Sequence, residues 1–482
     1  MLAGRRPVVW TALGAMATGL PALVMWGFTV DDALISVRYA RHLAAGFGWR
    51  FNVHGPVTDG VTPLPWPLLI APLASADAWT VLTRVRAAGW AAAVLGGALL
   101  GNAIGQIDRA PAWARAAALA TLLLSVPVAA HAVSGMETSL ATLLSTGAAI
   151  SYRRPLRAAA FAGLACALRP EMAPWAVTLA AGLSIAARWP PACVVGACGL
   201  ALSPFVFCAL LRDAIWGHPA PLALLAKPSS LAFGIPYAGA ALVVSIVPIL
   251  VLAPWALWRS PPAAAIVCAA CAHAGAIAAV GGDWMPYARL WVPVVPSLAL
   301  AATLAGEHAT ALATGSRSVA AILLGLLLLA RGGTAGRLVG ADREALIRQS
   351  RSRLEPLGRI ASLDVGWVGA ATEADVIDLA GVTDPEVAAL PGGHTSKRVG
   401  ALFLLSRSPG ALLLYSATGL PRGRLDAWRD ADFSRVVEAR LARDDLIARH
   451  FEPEAWLPLG PRGAGYVLLR RTDNIDPSPA PR

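Results

Sequence analysis

Long apolar stretches recur between residues 8 and 331, separated by short segments rich in Arg, Gly and Pro. A helix needs about 20 predominantly apolar residues to cross the hydrocarbon of a bilayer. The pattern predicts eleven spans, near 8–27, 87–106, 112–131, 138–152, 155–169, 171–187, 189–211, 236–258, 262–280, 290–306 and 318–331. The run 64–76 is also apolar, but it is short and carries three prolines. It reads as a juxtamembrane or re-entrant element rather than a span.

Beyond residue 340 the pattern changes. A polar helix is predicted from Ala341 to Leu357, followed by alternating apolar segments with Gly and Asp turns, such as Arg359-Ile-Ala-Ser-Leu-Asp-Val-Gly-Trp-Val-Gly. A helical stretch around 425–449 and a strand-like Gly465-Tyr-Val-Leu-Leu-Arg make this region α/β. The Pro-rich residues 473–482 are expected to be disordered. The fold expected is a polytopic α-helical membrane protein with a C-terminal soluble α/β domain. It divides into a transmembrane domain at 1–339, with a first loop at 28–86, a soluble domain at 340–472, and the end segment 473–482.

Composition agrees: of 482 residues 56% are hydrophobic and 14% charged, which excludes a large soluble enzyme. The net charge of +11 comes entirely from the first 340 residues, which hold 21 Lys/Arg and 10 Asp/Glu, whereas the rest holds 19 of each. The excess Arg lies in short loops, so topology control and anionic lipid explain it, and no nucleic acid is expected as a partner. Arg5-Arg6 followed by an apolar run without a small-residue cleavage site reads as a retained signal anchor. The six cysteines all lie in the apolar part, and Cys268 with Cys271 reads as packing rather than metal ligation.

With 64–76 not crossing, Asp31, Asp32, Asp59, Asp77, Glu137, Glu171, Asp213 and Asp283 fall on one membrane face, and only Asp108 and Glu307 on the other. Arg5, Arg6, Arg109, Arg115, Arg153, Arg154, Arg157, Arg188, Arg259 and Arg317 mark the opposite face, which the positive-inside rule makes cytoplasmic. The expected arrangement has the N-terminus inside and both the acidic face and the tail outside.

The acidic pair Asp31-Asp32 follows the first apolar stretch. Charged groups at a membrane edge pair, face a water-filled cavity, or do chemistry. The pair reads either as partners of Arg38 or Arg41, or as a general base poised to take a proton from a hydroxyl. Gly281-Gly-Asp-Trp-Met-Pro-Tyr-Ala-Arg289 is the second candidate. Trp284 and Tyr287 suit stacking on a sugar face, and Asp283 and Arg289 suit hydrogen bonds to hydroxyls or phosphate. An interfacial aromatic belt is the competing explanation. Three further loops share this face: Glu137 in Ser134-Gly-Met-Glu-Thr, Glu171 in Arg169-Pro-Glu, and His218 followed by Lys227.

Together these segments resemble a known family. Asp31-Asp-Ala-Leu-Ile-Ser-Val-Arg-Tyr-Ala-Arg-His-Leu-Ala-Ala-Gly-Phe-Gly-Trp-Arg-Phe-Asn52 and Asp59-Gly-Val-Thr-Pro-Leu-Pro-Trp66 look like the first external loop of GT-C membrane glycosyltransferases. The similarity is to the mycobacterial terminal arabinofuranosyltransferases and a related group of bacterial flagellar motor control proteins. Ser134-Gly-Met-Glu-Thr, Arg169-Pro-Glu, Gly217-His-Pro-Ala-Pro with Lys227, Gly281 to Arg289, Asp364-Val-Gly-Trp-Val-Gly and Ile377-Asp-Leu-Ala-Gly-Val-Thr-Asp384 resemble that family's later motifs in order. Thr58-Asp-Gly-Val-Thr and Pro221-Leu-Ala depart from the family's usual Glu-Gly-Tyr-Thr and Pro-Asn-Thr, which bears on donor sugar and acceptor rather than reaction class.

The resemblance implies a polyprenyl-phosphate sugar donor, a glycan or glycolipid acceptor in the cell envelope, and membrane lipids as surroundings. It implies a catalytic carboxylate at Asp31 or Asp32 and a tail on the extracytoplasmic face of the bacterial inner membrane. Arg38, His218, Lys227 and Arg289 would hold the donor phosphate; Glu137, Glu171, Asp283, Trp284 and Tyr287 would contact sugar. Some relatives use a divalent metal, but no ligand cluster is visible in the sequence, and no cofactor is expected. A lipid or sugar transporter and a non-catalytic envelope or flagellar regulator are the alternatives.

Overall fold

The computed structural model describes residues 6–227, 229–245, 254–332 and 335–472. The expected disordered segment 473–482 lies outside them, as does the middle of the apolar stretch 236–258.

A helix lies in each predicted apolar stretch, but the helices differ in reach. Five are long and apolar enough to cross a membrane: Ala78–Gly105, Pro191–Trp216, Pro261–Ala279, Arg289–Gly306 and Ala311–Arg331. A sixth is the pair Ala112–Leu123 and Val126–Ala132, bent by 58° just before Pro127, where a proline ring cannot continue the helix. The helices Thr138–Ile150, Pro155–Leu168 and Ala173–Ala186 have 13 or 14 residues. At 1.5 Å rise per residue they reach roughly 20 Å, less than the ~30 Å hydrocarbon core. Pro155 and Pro170 set these limits, since the residue before each proline leaves the helical region. The chain is thus a helical membrane protein, and eleven full crossings are more than its helix lengths establish. The proline-rich run folds as Pro65–Ile70 and a 3₁₀ turn Ala71–Leu73, too short to cross.

Small residues bring the first two long helices together. Gly97 and Gly101 of Ala78–Gly105 lie so close to the backbone of Arg6–Val24 that a Cβ at either would strike Gly14 or Trp10. The Thr18 hydroxyl crosses the seam to donate to Ala93 O at 2.7 Å. Where lipid supplies no hydrophobic drive between helices, such close contact is what holds them.

The tail carries a five-stranded sheet, with β1 Ile360–Ser362, β2 Val376–Asp378, β3 Ala411–Ser416, β4 Phe451–Pro458 and β5 Gly465–Arg471 in the order β2-β1-β3-β5-β4. β1 is parallel to β2 and β3, while β5 runs antiparallel to β3 and β4. Side chains alternate between faces along a strand. Leu412, Leu414, Val467 and Leu469 therefore pack under the tail's own helices. Ile360, Ala411, Leu413, Tyr466 and Leu468 join a core that also contains Leu34, Val37, Tyr39, Val81 and Leu82. One hydrophobic core thus runs across residue 340.

Two local expectations change. The run 359–369 is half strand and half helix, because Val365–Ala371 coils directly after β1. The stretch 425–449 is broken into a 3₁₀ turn Leu425–Asp430 and helices Val436–Arg443 and Asp445–His450, the last capped by the Asp444 carboxylate accepting from Leu446 N at 2.9 Å.

Burial shifts the titration of Glu438, in the tail, furthest among its described acids. Glu438 is fully buried; its Oε1 accepts from Tyr415 N at 3.1 Å and its Oε2 has no hydrogen-bond partner. Burial outweighs the nearby Arg435 and pushes this carboxyl up to about 8. The folded state therefore holds the proton more tightly than the unfolded chain. The group favours folding fully below about 4.5 and loses that contribution as pH rises through about 8. Glu438→Gln is expected to flatten the fall in stability between about pH 5 and pH 8, removing a slope on the order of 1 kcal/mol per pH unit. Denaturant unfolding of both proteins at several pH values checks this; an unchanged slope in the variant would exclude Glu438 as the titrating group.

Candidate functional site

Asp31 and Asp32 open the helix Asp31–Ala44, where acids favour the positive end of the helix dipole. They do not pair with Arg38 or Arg41. Successive residues on a helix point about 100° apart, and here that separation sends the two carboxylates to different places.

Asp31 turns toward the tail. Its Oδ2 accepts from Gly366 N at 2.8 Å and its Oδ1 from Trp367 N at 2.9 Å, with Arg343 3.7 Å away. Burial raises its carboxyl to about 6, against the pull of Arg343. Gly366 is needed here, because a Cβ would overlap the Asp31 carbonyl; Gly369, three residues on, leaves room for the Arg38 guanidinium. Asp31 is thus a docking group.

Asp32 turns the other way, into a cavity of about 100 Å³. Among the described residues its carboxylate accepts no hydrogen bond, and it makes one loose ion pair, with Arg289 Nη1 at 4.0 Å. Burial raises its pKa, Lys227 and Arg289 oppose that, and Asp283 and Glu137 reinforce it. The same cavity is lined by Ser36, Thr62, Glu137, Arg169, Glu171, Lys227 and Arg289, with Val382 from the tail.

The walls are built by ion pairs among separate loops. Arg169 bridges Glu137 at 2.6 Å and Glu171 at 2.5 Å, and all three are buried or nearly so. Thr29 donates to Ser134 O at 2.9 Å, tying the first loop to the loop that carries Glu137. Arg212 pairs with buried Asp59 at 2.7 Å and also donates to Val61 O and Thr62 O, which fixes the cavity's rim. Arg289 pairs with Asp283 at 2.7 Å. Burial works against ionisation of Asp283, but Arg289, Lys227 and Arg169 outweigh it and hold the carboxyl below its ordinary value. Lys227 makes no ion pair or side-chain hydrogen bond among the described residues, so its ammonium is the uncommitted cation of the site.

The cavity adjoins a cleft of about 550 Å³ that shares Thr62, Glu171, Lys227, Arg289 and Leu290 with it. Asp283, Trp284 and His394 are among its polar and aromatic lining residues, and Phe205, Leu224, Phe233 and Val280 among its apolar ones. Exposed Phe207, Leu210, Leu225, Leu231 and Ile235 lie on the same helices. Among the described residues no three His, Cys, Asp or Glu side chains converge in a metal-holding group.

Of the residues singled out from sequence, Asp32, Glu137, Glu171, Lys227, Arg289, Asp283 and Trp284 meet here. Arg38 does not: it is buried, lines neither space, and spends four of its five N–H donors on the carbonyls of Phe51, Gly369, Thr372 and Ala374 at 2.7–3.0 Å. His218 lines neither space, its Nδ1 lying 2.6 Å from Ala220 O. Tyr287 packs edge-on against Phe28, 5.2 Å between ring centroids, and also lines neither. Sequence reading missed Val382 and His394, which come from the tail. The spacing Gly366-x-x-Gly369 was the signal available for docking, since it clears one face of a short helix for close approach. No model of a known protein family, no curated protein and no solved structure matches the chain.

Proposed function

We propose that the chain is a membrane glycosyltransferase that takes its sugar from a polyprenyl phosphate, with Asp32 as the general base. The observation that carries the reading is Asp32, an acid that accepts no hydrogen bond among the described residues, in a cavity with Lys227 and Arg289 that opens into a mainly apolar cleft. The acceptor hydroxyl oxygen attacks the anomeric carbon while Asp32 takes its proton. The bond from that carbon to the lipid phosphate oxygen breaks, and its electron pair leaves with the phosphate. Lys227 and Arg289 face the growing negative charge. The apolar cleft wall and the exposed apolar residues beside it suit the lipid chain, and Asp283 and Trp284 suit the sugar.

In this reading the chain crosses the bacterial inner membrane eleven times, with the N-terminus inside and the acidic face and tail outside. Nucleotide sugars are confined to the cytoplasm, so a membrane-held donor supplies the reaction there, and the acceptor is a cell-envelope glycan or glycolipid. The donor sugar of the resembling family is arabinofuranose.

The test is transfer by the purified protein in vesicles from a panel of polyprenyl-phosphate pentoses and hexoses to an envelope glycan. Because the Lys227 side chain has no partner to lose among the described residues, Lys227→Met is expected to fold normally and to lose roughly 10²-fold in rate, the cost of one group that stabilises developing charge. A wild-type protein that carries a lipid-linked sugar across the vesicle without forming a glycosidic bond would instead be a transporter.

A further inference from the structure

The tail reaches the cleft with one side chain that the proposed reaction does not use. His394 sits in a turn that is pinned from several sides. Buried Lys397 donates its ammonium to Ala388 O at 2.7 Å and Leu390 O at 2.9 Å. Arg398 N donates to Pro391 O at 2.9 Å, and Val437 N to Thr395 O at 3.0 Å. A turn tied in this way presents its side chain at a fixed place.

That place is the cleft wall beside Asp283, Trp284, Lys227 and Arg289, all from the membrane half of the chain. The imidazole and the Trp284 indole are 6.5 Å apart and inclined by 34°, so they line the cleft side by side. Among the described residues neither His394 ring nitrogen has a hydrogen-bond partner. Burial, with help from the Lys227 ammonium, brings the imidazole down to about 4. The ring is then neutral at ordinary pH, with one nitrogen a donor and the other an acceptor. A neutral ring adds no positive charge for a phosphate, whereas its donor and acceptor together match a hydroxyl, which both accepts and donates. The half-exposed indole offers the flat apolar face that the carbon side of a sugar ring covers.

We propose that His394 and Trp284 form a sugar-contacting subsite to which the tail contributes the hydrogen-bonding member. The inference rests on the lipid-linked sugar reading of the cleft and adds that the tail helps select the glycosyl group. It is tested by diethyl pyrocarbonate labelling of His394 in the full-length protein in vesicles, read by peptide mass mapping. The probes are the same panel of polyprenyl-phosphate sugars and the bare polyprenyl phosphate. At least one sugar-bearing lipid is expected to slow His394 labelling about tenfold at nine-tenths occupancy, with little protection by the bare lipid. In the transfer assay, His394→Ala should raise KM about tenfold with kcat little changed, as loss of one buried hydrogen bond made equally before and during reaction would do. His394→Gln should recover most of that affinity. Equal protection by bare lipid, or no protection by any member of the panel, overturns the subsite. Transfer without protection removes the subsite and leaves the transferase standing; protection without transfer does the reverse.

Discussion

Asp32→Asn is expected to lower glycosyl transfer by roughly 10²–10⁴-fold, the usual contribution of a positioned general base, with folding and membrane insertion unchanged. The amide keeps the shape of the carboxylate but cannot take the proton of the acceptor hydroxyl. No hydrogen bond in the folded protein depends on this carboxylate among the described residues, so little stability is at stake. Asp31→Asn should behave differently. It gives up one of two acceptors for Gly366 N and Trp367 N, so it weakens the seat of the tail, and its activity should fall only as far as folding does. Rates measured beside thermal unfolding separate the two. Full activity in Asp32→Asn would sink the assignment of the base, and a greater catalytic loss in well-folded Asp31→Asn would transfer it to the neighbour.

Arg38→Met is expected to destabilise the junction of the first loop and the tail by on the order of 4 kcal/mol. The Arg38 side chain is almost fully buried, and its guanidinium serves four carbonyls, three of them at the end of the helix Val365–Ala371 and just beyond it. It also lies over the Phe51 ring at 5.0 Å. Methionine fills part of the space but leaves those carbonyls without donors, and each buried orphan costs about 1–3 kcal/mol. Arg38→Lys should recover only part of the loss, because a compact ammonium cannot reach four acceptors arranged for a planar fork. Unfolding in detergent and protease sensitivity of the tail report the change. Wild-type stability in Arg38→Met would mean that the apolar core alone holds the junction.

These two residues show how far sequence reasoning reached. The acids at 31 and 32 stood out because charge is scarce in the apolar half, and the loops that carry Glu137, Glu171, Lys227 and Asp283 could be grouped by counting crossings. Those four loops and Asp32 do converge, around the cavity and the cleft beside it. Arg38 looked the same as Arg289 in the sequence, a lone cation near an acidic motif. What separates them is burial: one is surrounded by carbonyl oxygens, the other faces a cavity. His394 carried no local signal, because its partners lie in a distant part of the chain.

Local and periodic features were thus determined by the sequence itself. Apolar length placed the helices, proline ended them, and alternation marked the strands, because each of these depends on residues within a few positions of one another. The tertiary structure alone decided which acid faces the cavity, which arginine is spent on docking, and that the tail lends a side chain to the cleft. Those outcomes depend on where a helix facing differs by about 100° per residue and on contacts between segments far apart in the chain, neither of which a linear pattern encodes.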